Sequence, residues 1–163
     1  MGAGYHGGFG ATKGYLEGNP VAGAIVFASG DLTYINNIAN RKDIDPDGIY
    51  DVVAHGTPYK IKFGDGKKDY YSPRELARIL SHRKDYKRNV LRLLSCETGS
   101  VPDGFAQHLA NKLNVTVLAP NYLIWAKPSG EHFIAPRSKN NPDAPDSRIR
   151  GKFVAFYPGG KKK

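Results

Sequence analysis

From Ile49 to Pro120, short apolar runs alternate with amphipathic ones, and this alternation constrains the fold more than any other feature of the sequence. IYDVVAH (49–55), NVLRLLS (89–95) and VTVLAP (115–120) have the length and β-branched content of buried strands. Between them lie two helical patterns. SPRELARIL (72–80) opens with a helix-start signature: Ser72 as cap, Pro73 in the first helical position and Glu75 to complete a capping box. Its Leu76, Ile79 and Leu80 share one face. PDGFAQHLANKLN (102–114) stacks Phe105, Leu109 and Leu113 at four-residue spacing. Strand, helix, strand, helix, strand predicts an α/β fold of three layers, α/β/α, with a mostly parallel central sheet.

The flanks are less regular. AGAIVFAS (22–29) reads as a further strand, and part of DLTYINNIANRKDIDPDG as helix ending in a turn at 45–48. Asp43, Asp45 and Asp47 alternate, but the spaced glycine and distal glutamate of a calcium loop are missing, so the segment reads as a turn. KFGDGKK and the PSG of YLIWAKPSGEHFIAP each suggest a hairpin, 138–151 a polar loop, and KFVAFYP (152–158) a closing strand, giving a β-rich C-terminal part. The glycine-rich residues 1–20, which include His6, read as an arm. Residues 21–160 read as one domain, and 161–163 as a basic tail.

Length and composition fit that reading. The 163 residues, 40% hydrophobic, suffice for one domain with a core. No apolar stretch approaches the roughly 20 residues that span a bilayer, and no export signal opens the chain. One cysteine forms no internal disulfide, and no Cys-x-x-Cys pair offers a zinc site, so neither metal nor cofactor is expected. The net charge of +9 is uneven: residues 1–50 hold three basic and five acidic residues, which leaves +11 on the remainder. That field favours acidic partners.

In an open parallel sheet, ligands bind beyond the carboxyl ends of the strands. His55-Gly56 and Cys96 both stand at such ends. If the two strands are neighbours, imidazole and thiol meet at one edge. A thiol attacks as its thiolate, and a nearby histidine takes the proton. The N–H groups of Gly56 and Cys96 would then form an oxyanion hole. Asp51 lies on the same strand face as His55 and is a candidate to orient it. Glu97 and Thr98 follow the thiol, Asn121 ends the next strand, and Trp125 offers a pocket wall. His82, His108 and His132 read as surface or packing residues. A cysteine ending a strand also serves as a small buried hydrophobe, and His-Gly as a plain turn.

The order strand–His-Gly, helix opening Ser-Pro-x-Glu-Leu-Ala, strand–Ser-Cys resembles the caspase-like (clan CD) cysteine peptidases, most closely the self-cleaving protease domains of large bacterial toxins. The likeness spans about Ile49 to Pro120. GYHGGFGATKG, AHGTP, SPRELARIL, LLSCETG, FAQHLANKL and APNYLIWAKPSG also resemble C-terminal effector domains of polymorphic, Rhs-type toxins. The resemblance implies Cys96 as nucleophile, His55 as general base or acid, and Gly56 in the oxyanion hole. It implies a protein substrate, secretion within a larger toxin, action in the target-cell cytoplasm, and a cognate immunity protein. SCETG departs from the caspase signature around the cysteine, so substrate recognition does not carry over.

Other classes stay open. A basic nuclease toxin would use His6 and His55 as acid and base on RNA or DNA, but an acidic metal cluster and an aromatic-basic binding motif are both lacking. An NAD-consuming or ADP-ribosylating toxin and a non-catalytic interaction module also fit. The zinc deaminase signature is absent.

Overall fold

Alternation along each strand decides which side chains face which layer, and two apolar faces on one sheet require a cover on each side. The computed structural model describes residues 24–27, 30–44, 48–63 and 70–159. In chain order these form β1 (Ala24–Val26), α1 (Leu32–Ile38), β2 (Ile49–Val53), β3 (Ile61–Lys62), β4 (Tyr70–Tyr71), α2 (Pro73–Ser81), β5 (Val90–Leu94), α3 (Phe105–Leu113), β6 (Val117–Pro120), β7 (Leu123–Ala126), β8 (His132–Ala135) and β9 (Phe153–Phe156). The 1–20 arm with His6, most of the 45–48 turn, the tip of the first hairpin and the 161–163 tail lie outside the described residues.

The fold is mixed α/β around a five-stranded sheet in the order β1-β2-β5-β6-β9. The first four strands run parallel and β9 closes the edge antiparallel to β6. Tyr50, Val52, Ala54, Leu91 and Leu93 pack on one face against α2 and α3 through Leu76, Leu80, Phe105 and Leu109. Val26, Val53 and Leu94 pack on the other against Ile35 and Ile38 of α1 and Ile124 and Ile134 of the β7–β8 hairpin. The expected α/β arrangement thus has its second layer made by one short helix and a hairpin.

Helix starts follow the sequence closely in one case and not in the other. Ser72 and Glu75 form both halves of the capping box before α2. Helix α3 begins at Phe105, not at Pro102. Its first N–H groups donate to main-chain carbonyls, Phe105 to Pro58 (2.8 Å) and Ala106 to Thr98 (3.2 Å), and Gly104 supplies no side-chain cap. Those two carbonyls belong to the loops that follow β2 and β5, so α3 ties the two strand-end loops together.

The connections differ in hand. The chain steps across the sheet in one direction from β1 to β2, β5 and β6, yet α1 lies on the opposite face from α2 and α3. The β1–α1–β2 crossover therefore has the opposite hand to the next two, against the usual single hand of such units. Buried charge holds this return. Arg41, just past α1, binds Asp51 of β2 at 2.8 Å, and Asp51 also takes Arg92 of β5 at 2.9 Å. No helix among the described residues is long and apolar enough to cross a membrane.

Candidate active site

The register of β2 and β5 sets the site. Val53 pairs with Leu94 in parallel, and the pairing ends there, two residues before His55 on one strand and Cys96 on the other. Alternation puts both side chains on the face covered by α1 and the β7–β8 hairpin, in the row of Val53 and Leu94. The strand ends touch. A Cβ on Gly56 would stand 2.9 Å from the Thr98 methyl, and 3.0 Å from both the Cys96 carbonyl oxygen and Ser95 Cβ. Only glycine lets the two loops approach so closely.

Each dyad residue is held by a backbone group from the covering layer. His55 Nε2 lies 2.6 Å from the carbonyl oxygen of Asp31, the N-cap residue of α1. A carbonyl only accepts, so Nε2 carries the proton and Nδ1 is the basic nitrogen. Gly30, with a φ of +82°, presses against the imidazole: a Cβ there would sit 3.0 Å from His55 Cδ2. The Cys96 thiol accepts from the Ile124 N–H at 3.4 Å and approaches the Ile124 carbonyl at 3.9 Å. Burial pushes the half-buried thiol above its ordinary value. The Ile124 N–H pulls it back by less, and the Glu97 charge adds to the rise. Among the described residues no hydrogen bond joins thiol to imidazole.

Tyr34 of α1 packs beside His55. Its hydroxyl donates to the Leu94 carbonyl at 2.7 Å, and its ring centroid is 5.7 Å from that of His55. Burial raises its phenol well above the usual value, and the charge of Cys96 adds to that rise. Behind Cys96 the chain turns sharply, with Glu97 in the left-handed region at φ +62° and its N–H on the Tyr122 carbonyl at 2.9 Å. A bulky residue in that conformation next to a candidate nucleophile marks a constrained turn. Among the described residues, neither the Gly56 nor the Cys96 N–H is taken by a backbone carbonyl.

Four residues proposed from the sequence for the cleft serve elsewhere. Asp51 shares the His55 face but lies four residues down the strand. It is buried between Arg41 and Arg92, so it does not orient the imidazole. Thr98 is fully buried. Its hydroxyl bonds Ser95 O at 2.9 Å and its methyl meets Gly56, so it builds the turn instead of lining a cleft. Asn121 ties β6 to the approach to β9, its side chain accepting from Lys152 N at 2.9 Å. Trp125 belongs to the row opposite Ile124 and Ala126, which face the core, and its indole N–H donates to Ala135 O at 2.9 Å.

Sequence reasoning missed a charged chain on the same sheet face. Asp43 accepts from Arg92 at 2.8 Å and from His132 at 2.9 Å, extending the Arg41–Asp51–Arg92 cluster. Burial opposes ionisation of Asp43, but the bond to Arg92 and the charges of Arg92 and His132 hold its carboxyl below the ordinary value. The available signal was the charged pair Asp51 and Arg92 inside otherwise apolar strands. Cavities of about 470 and 410 Å³ adjoin at Glu131 and His132, the first at the tip of the hairpin and the second along β8. They contain neither dyad residue. Among the described residues, no group of three or more His, Cys, Asp or Glu side chains is placed to hold a metal ion.

The profile of DUF8616, a domain of unknown function, matches residues 25–134, more than half of the chain. The chain belongs to the DUF8616 family. The matched span runs from β1 into β8 and contains His55, Gly56 and Cys96, while β9 lies beyond it. No curated protein matches the chain, and no solved structure does.

Proposed function

We propose that this DUF8616 chain is the effector domain of a polymorphic, Rhs-type toxin and acts as a caspase-like cysteine hydrolase on a protein substrate. The observation that supports the reading is that β2 and β5 pair in parallel and His55 and Cys96 follow their neighbouring carboxyl ends, where a Cβ on Gly56 would stand 3.0 Å from the Cys96 carbonyl oxygen. In the reaction, rotation about the Cys96 side chain exchanges Ile124 for the imidazole, and His55 Nδ1 takes the thiol proton. The sulfur attacks the substrate carbonyl carbon. The resulting oxyanion meets the Gly56 and Cys96 N–H groups. Collapse breaks the C–N bond, and His55 returns the proton to the leaving amine. Water, deprotonated by the same imidazole, then hydrolyses the thioester and restores the thiol.

The proposal includes delivery as part of a larger secreted toxin, action in the target-cell cytoplasm and neutralisation by an immunity protein. A raised thiol suits a resting enzyme in which the histidine acts as base only when substrate arrives. A purely structural cysteine would make the same contacts with Ile124, and mutation separates the two roles. Cys96→Ala and His55→Ala, each expressed in the cytoplasm at wild-type soluble levels, are expected to abolish growth arrest with Tm little changed. A fully toxic Cys96→Ala chain overturns the reading.

A further inference from the structure

A separate cavity of about 190 Å³ opens where the loop after His55 passes over α2 and α3. Its apolar wall is Tyr59, Pro73 and Phe105, and its rim carries Arg74, His108 and Lys112. The sequence sets this up locally. The Thr57 hydroxyl accepts from Tyr59 N and Lys60 N, both at 3.1 Å, and Pro58 O takes the first N–H of α3 at 2.8 Å. These bonds set the backbone at Tyr59, whose side chain is 62% exposed, the largest exposure among the big apolar side chains described. An exposed aromatic at the mouth of a preformed cavity offers apolar area to a partner side chain.

No carboxylate lines the cavity. Arg74 and Lys112 are exposed and form no ion pair with the described residues. Asp103, near the rim, is turned to His108 at 3.0 Å. Lys60 follows Tyr59 and stands 4.6 Å over the Tyr70 ring. The chain as a whole carries +9, a field that favours acidic partners.

We propose that this cavity docks an acidic segment of a partner protein, with one apolar side chain between Tyr59 and Pro73 and flanking carboxylates on Arg74 and Lys112. The site stands apart from the Cys96–His55 dyad and holds whether or not the dyad is catalytic. Cations at the rim set partner choice and association rate, while the apolar anchor sets residence time.

Fluorescence anisotropy of a labelled heptapeptide, one leucine between two blocks of three glutamates, tests it on the full chain. Saturable binding is expected, weakened roughly tenfold by Tyr59→Ala and by Arg74→Ala combined with Lys112→Ala. All three positions are exposed, so the fold should tolerate the changes. The glutamine version of the peptide, and the version with alanine for leucine, are expected to bind far more weakly. Cys96→Ala should bind as wild type, which keeps failure of the dyad separate from failure of this site. Equal binding by the variants, no binding at millimolar peptide, or tighter variant-sensitive binding of a ten-nucleotide oligothymidylate would each overturn the proposal.

Discussion

At the scale of single residues, backbone contacts govern the candidate chemistry. Asp31 O fixes the tautomer of His55, and Ile124 N–H sits on the Cys96 sulfur. Burial raises the thiol, so the folded chain holds that proton more tightly than the unfolded one. The stability this gives is complete below the ordinary thiol value of about 8.5 and is lost as pH rises through the folded value. Alkylation of Cys96 by iodoacetamide is therefore expected to be slow at pH 7, with a midpoint above that of free cysteine. A midpoint well below 8 would show a thiolate already stabilised at rest. The two candidate residues, His55 and Cys96, stand out in the sequence because each ends an apolar run. Their holders were not, since a carbonyl or an amide leaves no mark on residue identity.

At the scale of elements, local chemistry was readable where side chains carry it. Ser72, Pro73 and Glu75 announce α2, and both capping bonds form, at 3.2 and 2.9 Å. Ser72→Ala is expected to lower stability by about 1 kcal/mol, measured by urea unfolding; an unchanged midpoint would mean that the cap adds nothing. The start of α3 was misplaced because its caps are the carbonyls of Pro58 and Thr98, from loops distant in sequence. The hairpin around Pro128-Ser129-Gly130 was recognisable from its turn residues. Its docking on α1, where Asn37 and Asn40 bond the carbonyls of Ala126 and Pro128 at 3.0 and 2.9 Å, was not.

At the scale of the whole molecule, the alternating pattern revealed a parallel α/β sheet but not which layer covers each face. Nothing local in the α1 segment states that it lies opposite α2 and α3. That placement depends on Arg41 reaching Asp51, which in turn binds Arg92, contacts that join three separate parts of the chain. Asp51→Ala would leave two guanidinium groups buried without their shared carboxylate. It is expected to cost about 3–5 kcal/mol, seen as a large drop in Tm; a loss under about 1 kcal/mol would mean that packing holds α1 in place without the charge. The pairing that aligns Asp51 with Arg92 ends at Val53 and Leu94, two residues before His55 and Cys96, so the charged core and the candidate dyad rest on one strand pairing. His55→Cys tests that pairing directly. Cys96 is the only native cysteine, and neighbouring parallel strands bring Cα atoms within the roughly 4.4–6.8 Å that a disulfide spans. Mild oxidation of the monomer is expected to close an intramolecular disulfide between positions 55 and 96, read by intact mass as the loss of two hydrogens and of both alkylatable thiols. Two thiols that stay free while the protein remains folded would place the strand ends apart and contradict the account.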